Sequence, residues 1–250
     1  MWKRLLIVAI VAVSYLTLWV ARVRNSQSKM ENFPVTTVWA WQRPEKLTFI
    51  DKHKTAVAVL AETISLSPLK FEPRNQPVSA PDGATYIAVV RIQASANSDL
   101  SDATRARVVS EITKFAGNAD TEAIQIDFDA TSSQRDFYRS LLKDLRAKLP
   151  RDIPLSMTAL VSWCEGDDWI ANLPVDEAVP MYFRMGVDDQ NIRRSHWDVG
   201  KLREPLCRNS VGISLDEPWP RFDSAVRVYA FAPAAWTETD YQHLLERLAR

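Results

Sequence analysis

The sequence predicts an α/β fold, a (β/α)8 TIM-type barrel with some helices short or missing, preceded by one N-terminal transmembrane helix. Three observations predict it. Eight apolar runs rich in β-branched residues recur between residues 36 and 231, several spacers carry a helical apolar period, and the first 24 residues contain an uncharged stretch. Ordinary globular composition, 46% hydrophobic and 25% charged, excludes disordered and collagen-like chains.

The chain opens with Lys3 and Arg4, runs uncharged from Leu5 to Ala21, and closes that stretch with Arg22 and Arg24. At ~1.5 Å per helical residue the stretch covers a little less than a ~30 Å hydrocarbon core. Trp2 and Trp19 suit its interfaces. Residues 1–24 therefore read as a membrane anchor or signal segment, with the membrane engaged through residues 5–21. No good small-x-small cleavage site lies near Ala21, which favours the anchor. The expected location is a bacterial inner membrane with the barrel in the periplasm or outside; the alternative is secretion after signal cleavage. Residues 25–35 form a polar tether, and residues 36–250 the barrel.

The expected strands are Thr36–Trp41, Ala56–Ile64, Thr85–Gln93, Ala123–Asp129, Leu155–Trp163, Ala178–Met185, Val211–Asp216 and Val226–Phe231. Ser101–Phe115 places Val108, Val109, Ile112 and Phe115 on one helical face. Ser133–Leu149 carries Phe137, Leu141, Leu145 and Leu149 at four-residue spacing, with its cap in Ser133–Asp136. Thr237–Ala249 carries Leu244, Leu245 and Leu248. Strands alternating with helices run parallel, and eight of them suggest closure; a doubly wound open sheet is the fallback. The first two spacers and the one between strands six and seven have short helices or none.

Charge and composition narrow the function. Lys+Arg and Asp+Glu both number 31, so no broad basic face for nucleic acid is expected. Six glycines assemble no phosphate-cradling loop, and no cofactor is implied. The three histidines are scattered and no metal-ligand spacing exists, so no metal is expected. Cys164 is expected at the mouth end of strand five and Cys207 at the opposite end of the barrel, which predicts two free thiols.

Strand parity then selects residues. One side of each barrel strand faces the helices and the other the interior. In strand four Ile124, Ile126 and Phe128 face outward, leaving Gln125, Asp127 and Asp129 inward. Strand six is expected to turn Val179, Met181 and Phe183 outward and Tyr182 and Arg184 inward. Strand seven leaves Ser214 and Asp216 inward, and strand two leaves Glu62 inward. Nine tryptophans supply flat apolar faces for a core or a ligand; Trp41 and Trp163 are the expected ligand faces, ahead of Trp39, Trp169 and Trp219. The competing bland reading of the aspartate pair is a structural ion pair with Arg91 or Arg184. A divalent cation held by Asp127, Asp129 and Asp216 is a third reading.

The string Ala123-Ile124-Gln125-Ile126-Asp127-Phe128-Asp129-Ala130 resembles the fourth-strand signature D-G-x-D-x-D-x-E of chitinase-like glycoside hydrolases of family 18. Asp127 matches the last aspartate, Asp129 takes the place of the general-acid glutamate, and Gln125 stands where the middle aspartate would be. Tyr182 lies near that family's substrate-contacting tyrosine, and Trp236 is a counterpart of its floor tryptophan. VWAWQRPE at Val38–Glu45 and LSMTALVSWC at Leu155–Cys164 are similar to an uncharacterised bacterial family known only as a domain of unknown function. Together the resemblances imply a cell-envelope barrel that binds a glycan or polysaccharide. They imply acid-assisted cleavage by Asp129, with Asp127 orienting an N-acetyl group that attacks the anomeric carbon. Gln125, Trp41, Trp163, Tyr182, Arg184, Asp216, Glu62 and Trp236 are the expected substrate contacts. Asp129 is one methylene shorter than glutamate and Gln125 cannot share a proton with Asp127. These departures keep a non-catalytic glycan-binding or scaffold protein open as the alternative.

Overall fold

The computed structural model describes residues 29–166 and 168–249. The anchor or signal segment and residues 25–28 of the tether lie outside them. Among the described residues no helix is long and apolar enough to cross a membrane. Residues 29–32 form a short 3-10 turn in a unit separate from residues 33–250.

Residues 33–250 build a closed barrel of eight parallel strands. These are β1 (Thr36–Ala40), β2 (Thr55–Leu66), β3 (Tyr86–Gln93), β4 (Thr121–Asp127), β5 (Leu155–Leu160), β6 (Glu177–Met181), β7 (Ser210–Ser214) and β8 (Arg227–Phe231). Each pairs with the next, and β1 pairs with both β2 and β8, with Thr37 opposite Ala56 on one side and Tyr229 on the other. Closure removes the sheet edges that an open sheet would have to protect.

Helices α1 (Asp102–Thr113) and α2 (Arg135–Lys148) follow β3 and β4, and α5 (Glu238–Leu248) follows β8. Each starts where a side chain satisfies an orphan N–H. Ser101 accepts from the Thr104 N–H at 3.2 Å; Thr131 with Gln134 and Thr237 with Asp240 form reciprocal capping boxes. The α2 cap thus falls at Thr131, two residues before the expected start, because a 3-10 turn over Ser132–Gln134 leads into the helix. Phe137, Leu141 and Leu145 are buried on one face as their spacing predicts, each contributing about 1.5–3 kcal/mol of apolar burial. The weak spacers are real. The β1–β2 connection carries only Glu45–Lys46 paired with Val78–Ser79, and β2 is followed by an antiparallel strand, Leu69–Pro73, in place of a helix. Between β6 and β7 stands the short α4 (Asp189–Ser195).

Three expectations are corrected. First, β5 ends at Leu160 and not at Trp163, because Val161–Glu165 turns back as helix α3. Cys164 therefore lies on a returning helix, where its carbonyl accepts from the Glu204 N–H at 3.0 Å. This brings the segment before β7 alongside, and Cys164 and Cys207 form a disulfide with Cα atoms 6.1 Å apart. Second, β6 begins at Glu177 and turns Met181 and Phe183 inward, whereas Tyr182 packs on the helical side with Trp197 and donates to the His196 carbonyl at 2.8 Å. Third, the register between β2 and β3 shifts between Leu60 and Glu62. Glu62 consequently pairs with outward-facing Val90, while Thr63 takes the inward register opposite Arg91.

Candidate active site

The strands' C-terminal ends surround a cavity of about 510 Å³. β1 supplies Trp39 and, just past its end, Trp41 and Arg43; β3 supplies Arg91; β4 supplies Asp127 and, two residues on, Asp129. Thr158 comes from β5, Met181 and the following Phe183 and Arg184 from β6, and Phe231 from β8. A barrel's C-terminal face gathers loops from eight strands, so residues far apart in sequence converge there.

Asp127 is 5% exposed, whereas Asp129 stands open in the cavity. The Thr158 hydroxyl donates to Asp127 Oδ1 at 2.8 Å, and an Arg91 guanidinium nitrogen lies 3.5 Å from Oδ2. Burial pushes the Asp127 carboxyl up from its ordinary value; Arg91 pulls the other way, and the neighbouring Asp129 charge adds to the rise. Arg91 also lies over the Trp41 ring, 5.6 Å from its centroid, so one guanidinium positions both the acid and the aromatic face. Asp129 has no hydrogen bond or ion pair to the described residues.

Beneath the cavity a buried polar chain crosses the barrel interior. The Trp39 indole N–H donates to Gln125 Oε1 at 2.9 Å, and the Gln125 amide donates to Ser156 Oγ at 3.2 Å. Ser156 donates to Glu177 Oε1 at 3.2 Å; Tyr229 donates to the same oxygen, and Arg227 lies 3.4 Å from Oε2. Burial pushes Glu177 up, opposed by Arg227 and its two hydroxyl donors. Gln125 thus fixes the floor tryptophan and does not itself line the cavity. Gly212 completes the floor: a Cβ there would sit 3.1 Å from Trp39 Cη2 and 3.4 Å from the Met181 Cα.

Of the expected site residues, the structure brings Asp127, Asp129, Trp41 and Arg184 together on the cavity. Trp163 is buried against Trp169 in the helical layer, and Tyr182 is buried behind β6. Trp236 is 4% exposed and donates to the Trp39 carbonyl at 3.0 Å, so it braces the β1 backbone while Trp39 forms the floor. Glu62 borders a separate cavity of about 290 Å³ with Gln42 and Arg74. Asp216 lies off the mouth, bonded to the Ser214 hydroxyl. Among the described residues no group of three His, Cys, Asp or Glu converges as a metal site would require.

Glu177, Tyr229, Phe231 and Thr158 escaped the sequence reading. The signal for Glu177 was present: it lies two residues before Val179, on the face shared with Met181 and Phe183. A charge there marks that face as interior, since the helical seam offers it no partner.

No curated protein matches the chain. Among solved structures, a Streptomyces coelicolor protein carrying the name Chitinase A shares 10% identity over 86% of this chain and 95% of its own, with a TM-score of 0.55. The spore cortex-lytic enzyme SleL of Bacillus cereus shares 16% over 72% and 50%, at 0.45. The chitinase domain of the spore coat protein CotE of Clostridium difficile shares 15% over 59% and 49%, at 0.41. The chain spans about half the length of these last two. With the first of the three, what is shared at 10% identity is the barrel fold. Residues 82–181, which carry β3 to β6 and with them Arg91, Asp127, Asp129 and Thr158, match the family described as Domain of unknown function (DUF3142).

Proposed function

We propose that the barrel mouth binds a glycan in the cell envelope and cleaves it with acid assistance. The observation that carries this reading is the pair Asp127 and Asp129 on one wall of a 510 Å³ cavity floored by Trp39 and flanked by Trp41. Sugar rings stack on such aromatic faces through their C–H groups. Asp129, open in the cavity, gives its proton to the glycosidic oxygen as the bond to the anomeric carbon breaks. The electron pair closing on that carbon comes from the substrate's own N-acetyl oxygen, which Asp127 orients; water then opens the cyclic intermediate and returns the proton to Asp129. Arg91 and Thr158 hold the Asp127 carboxyl in place, where it accepts a hydrogen bond from the acetamido N–H.

One observation favours a binder without chemistry. Gln125, in place of an aspartate that would share a proton with Asp127, is committed to Trp39 and Ser156. Such a protein retains the cleft and the platform but lacks turnover. Incubating the full-length protein with N-acetylhexosamine oligosaccharides separates the two readings: reducing-end release supports the hydrolase, and retention without release supports the binder. The Cys164–Cys207 disulfide supports a location outside the cytoplasm, where such bonds persist, with residues 5–21 as the tether to the membrane.

A further inference from the structure

The cavity lining is rich in arginine, although the chain as a whole carries no net charge. Arg43, Arg91 and Arg184 all line it, and no lysine does. Two of the three are committed: Arg91 to Asp127, and Arg43 to Glu45 Oε1 at 2.8 Å and to the Ala232 carbonyl at 2.6 Å. Arg184 is different. Its guanidinium makes no hydrogen bond or ion pair with any described residue, yet it is held in place.

The holding has two parts. Arg184 sits in the left-handed region at φ 52°, a conformation uncommon outside glycine, and its backbone N–H is pinned by Glu217 Oε1 at 3.0 Å. Its guanidinium centre lies 4.8 Å from the Phe231 ring centroid, and that ring is itself stacked on Phe183 at 5.6 Å with 8° between planes. A guanidinium laid on an aromatic face keeps its donors free at the edge, presented in a fork that matches a carboxylate. Arg43 flanks the same ring at 5.7 Å, with its own charge met by Glu45, which leaves Arg184 as the open cation.

We infer that the cleft selects an acidic glycan, one whose sugars carry carboxylates, with Arg184 as the anion-recognising residue. This rests on the glycan reading above and narrows it: the neutral polymer is the weaker ligand. Asp129 stays uncommitted in the free protein, and it follows β4 whereas Arg184 follows β6, so the acid and the anion-recognising residue come from different strands of the same mouth.

The test compares two N-acetylglucosamine-containing oligosaccharides of equal length, hyaluronan hexasaccharide and neutral chitohexaose, by calorimetry on the full-length protein at low and high salt. The expected result is at least tenfold tighter binding of the hyaluronan hexasaccharide, weakening as salt rises. Arg184→Gln should remove that preference, a loss of roughly ten- to a hundredfold for the acidic ligand, the range set by one charge-assisted hydrogen bond, and a loss clearly larger than the one for chitohexaose. Arg184→Lys should keep part of the preference, and the melting temperature of each variant checks that it folds. Equal or tighter binding of chitohexaose by the wild type overturns the acidic preference and leaves the glycan reading standing. A preference that survives Arg184→Gln overturns the role of Arg184. Failure of both oligosaccharides to bind overturns the inference together with the reading beneath it.

Discussion

Reducing the bond between Cys164 and Cys207 is expected to cost this barrel a large share of its stability. The two residues are 43 positions apart, and opening a loop of that length returns to the unfolded chain about 13 cal/mol/K of entropy, about 4 kcal/mol at 25 °C. For a domain of this size each 1 kcal/mol moves the midpoint by roughly 2–4 °C, so the melting temperature should fall by about 8–16 °C. The clean comparison is oxidised wild type, reduced wild type and the Cys164→Ala/Cys207→Ala double variant, melted with and without reductant. Alanine avoids burying new hydroxyls, since both cysteines are at most 1% exposed. Reductant should lower the wild-type midpoint to near that of the double variant and leave the double variant unmoved. Thiol titration of the denatured, non-reduced chain should find none. Two titratable thiols, or a midpoint that moves by less than about 2 °C, would refute the placement of Cys164 on the returning helix.

Burial, reinforced by Glu111, pushes the Glu62 carboxyl from 4.5 up to about 7, so the native state holds a proton that the unfolded chain has released. Stability should therefore fall as pH rises from about 4.5 to about 7 and level off above; Glu62→Gln should melt with wild type near pH 4.5 and above it at pH 8. A difference independent of pH would contradict the burial of that carboxylate. Gly212→Ala brings a methyl group to 3.1 Å from Trp39 Cη2 and should cost about 1 kcal/mol in urea unfolding while shifting tryptophan fluorescence. Unchanged fluorescence would mean that Trp39 does not lie across Gly212. Membrane fractionation followed by N-terminal sequencing should find the chain membrane-bound and beginning at or near Met1; a soluble product starting near Asn25 would leave a cleaved signal in place of the anchor.

The eight strands were legible because most are compact apolar runs carrying β-branched residues, and α1, α2 and α5 because their apolar positions repeat at helical spacing. What escaped has a physical reason in each case. In Ala178–Met185 the polar Tyr182 and Arg184 mark the wrong face as interior, because the strand ends at Met181 and Arg184 reaches the mouth from a left-handed turn beyond it; Glu177 marks the true inner face. The strand Leu69–Pro73 alternates Leu69 and Phe71 with Lys70 and Glu72 over only four residues, too short a pattern to distinguish a strand from a loop. Val161, Trp163 and Cys164 continue the apolar character of Leu155–Leu160 with only Ser162 between them, which hides the turn into α3. In the site, β4 was read correctly, since three polar residues at alternate positions on an otherwise apolar strand must face the interior. Arg91 was legible as a partner for Asp127, whereas the bulge that swings Glu62 away was not, because it changes register without changing composition.

The central claim is that Asp129 delivers a proton within a glycan-binding cleft, and Asp129→Asn tests it most directly. The substitution removes the proton donor while keeping shape and hydrogen-bonding capacity. Single-turnover cleavage and equilibrium binding should be measured side by side on the same N-acetylhexosamine oligosaccharide, with wild type and variant matched for folding. The account predicts cleavage by wild type, a loss of at least a thousandfold in the variant, and affinities within about threefold of one another. Equal cleavage by both proteins, or binding without cleavage by both, would contradict it.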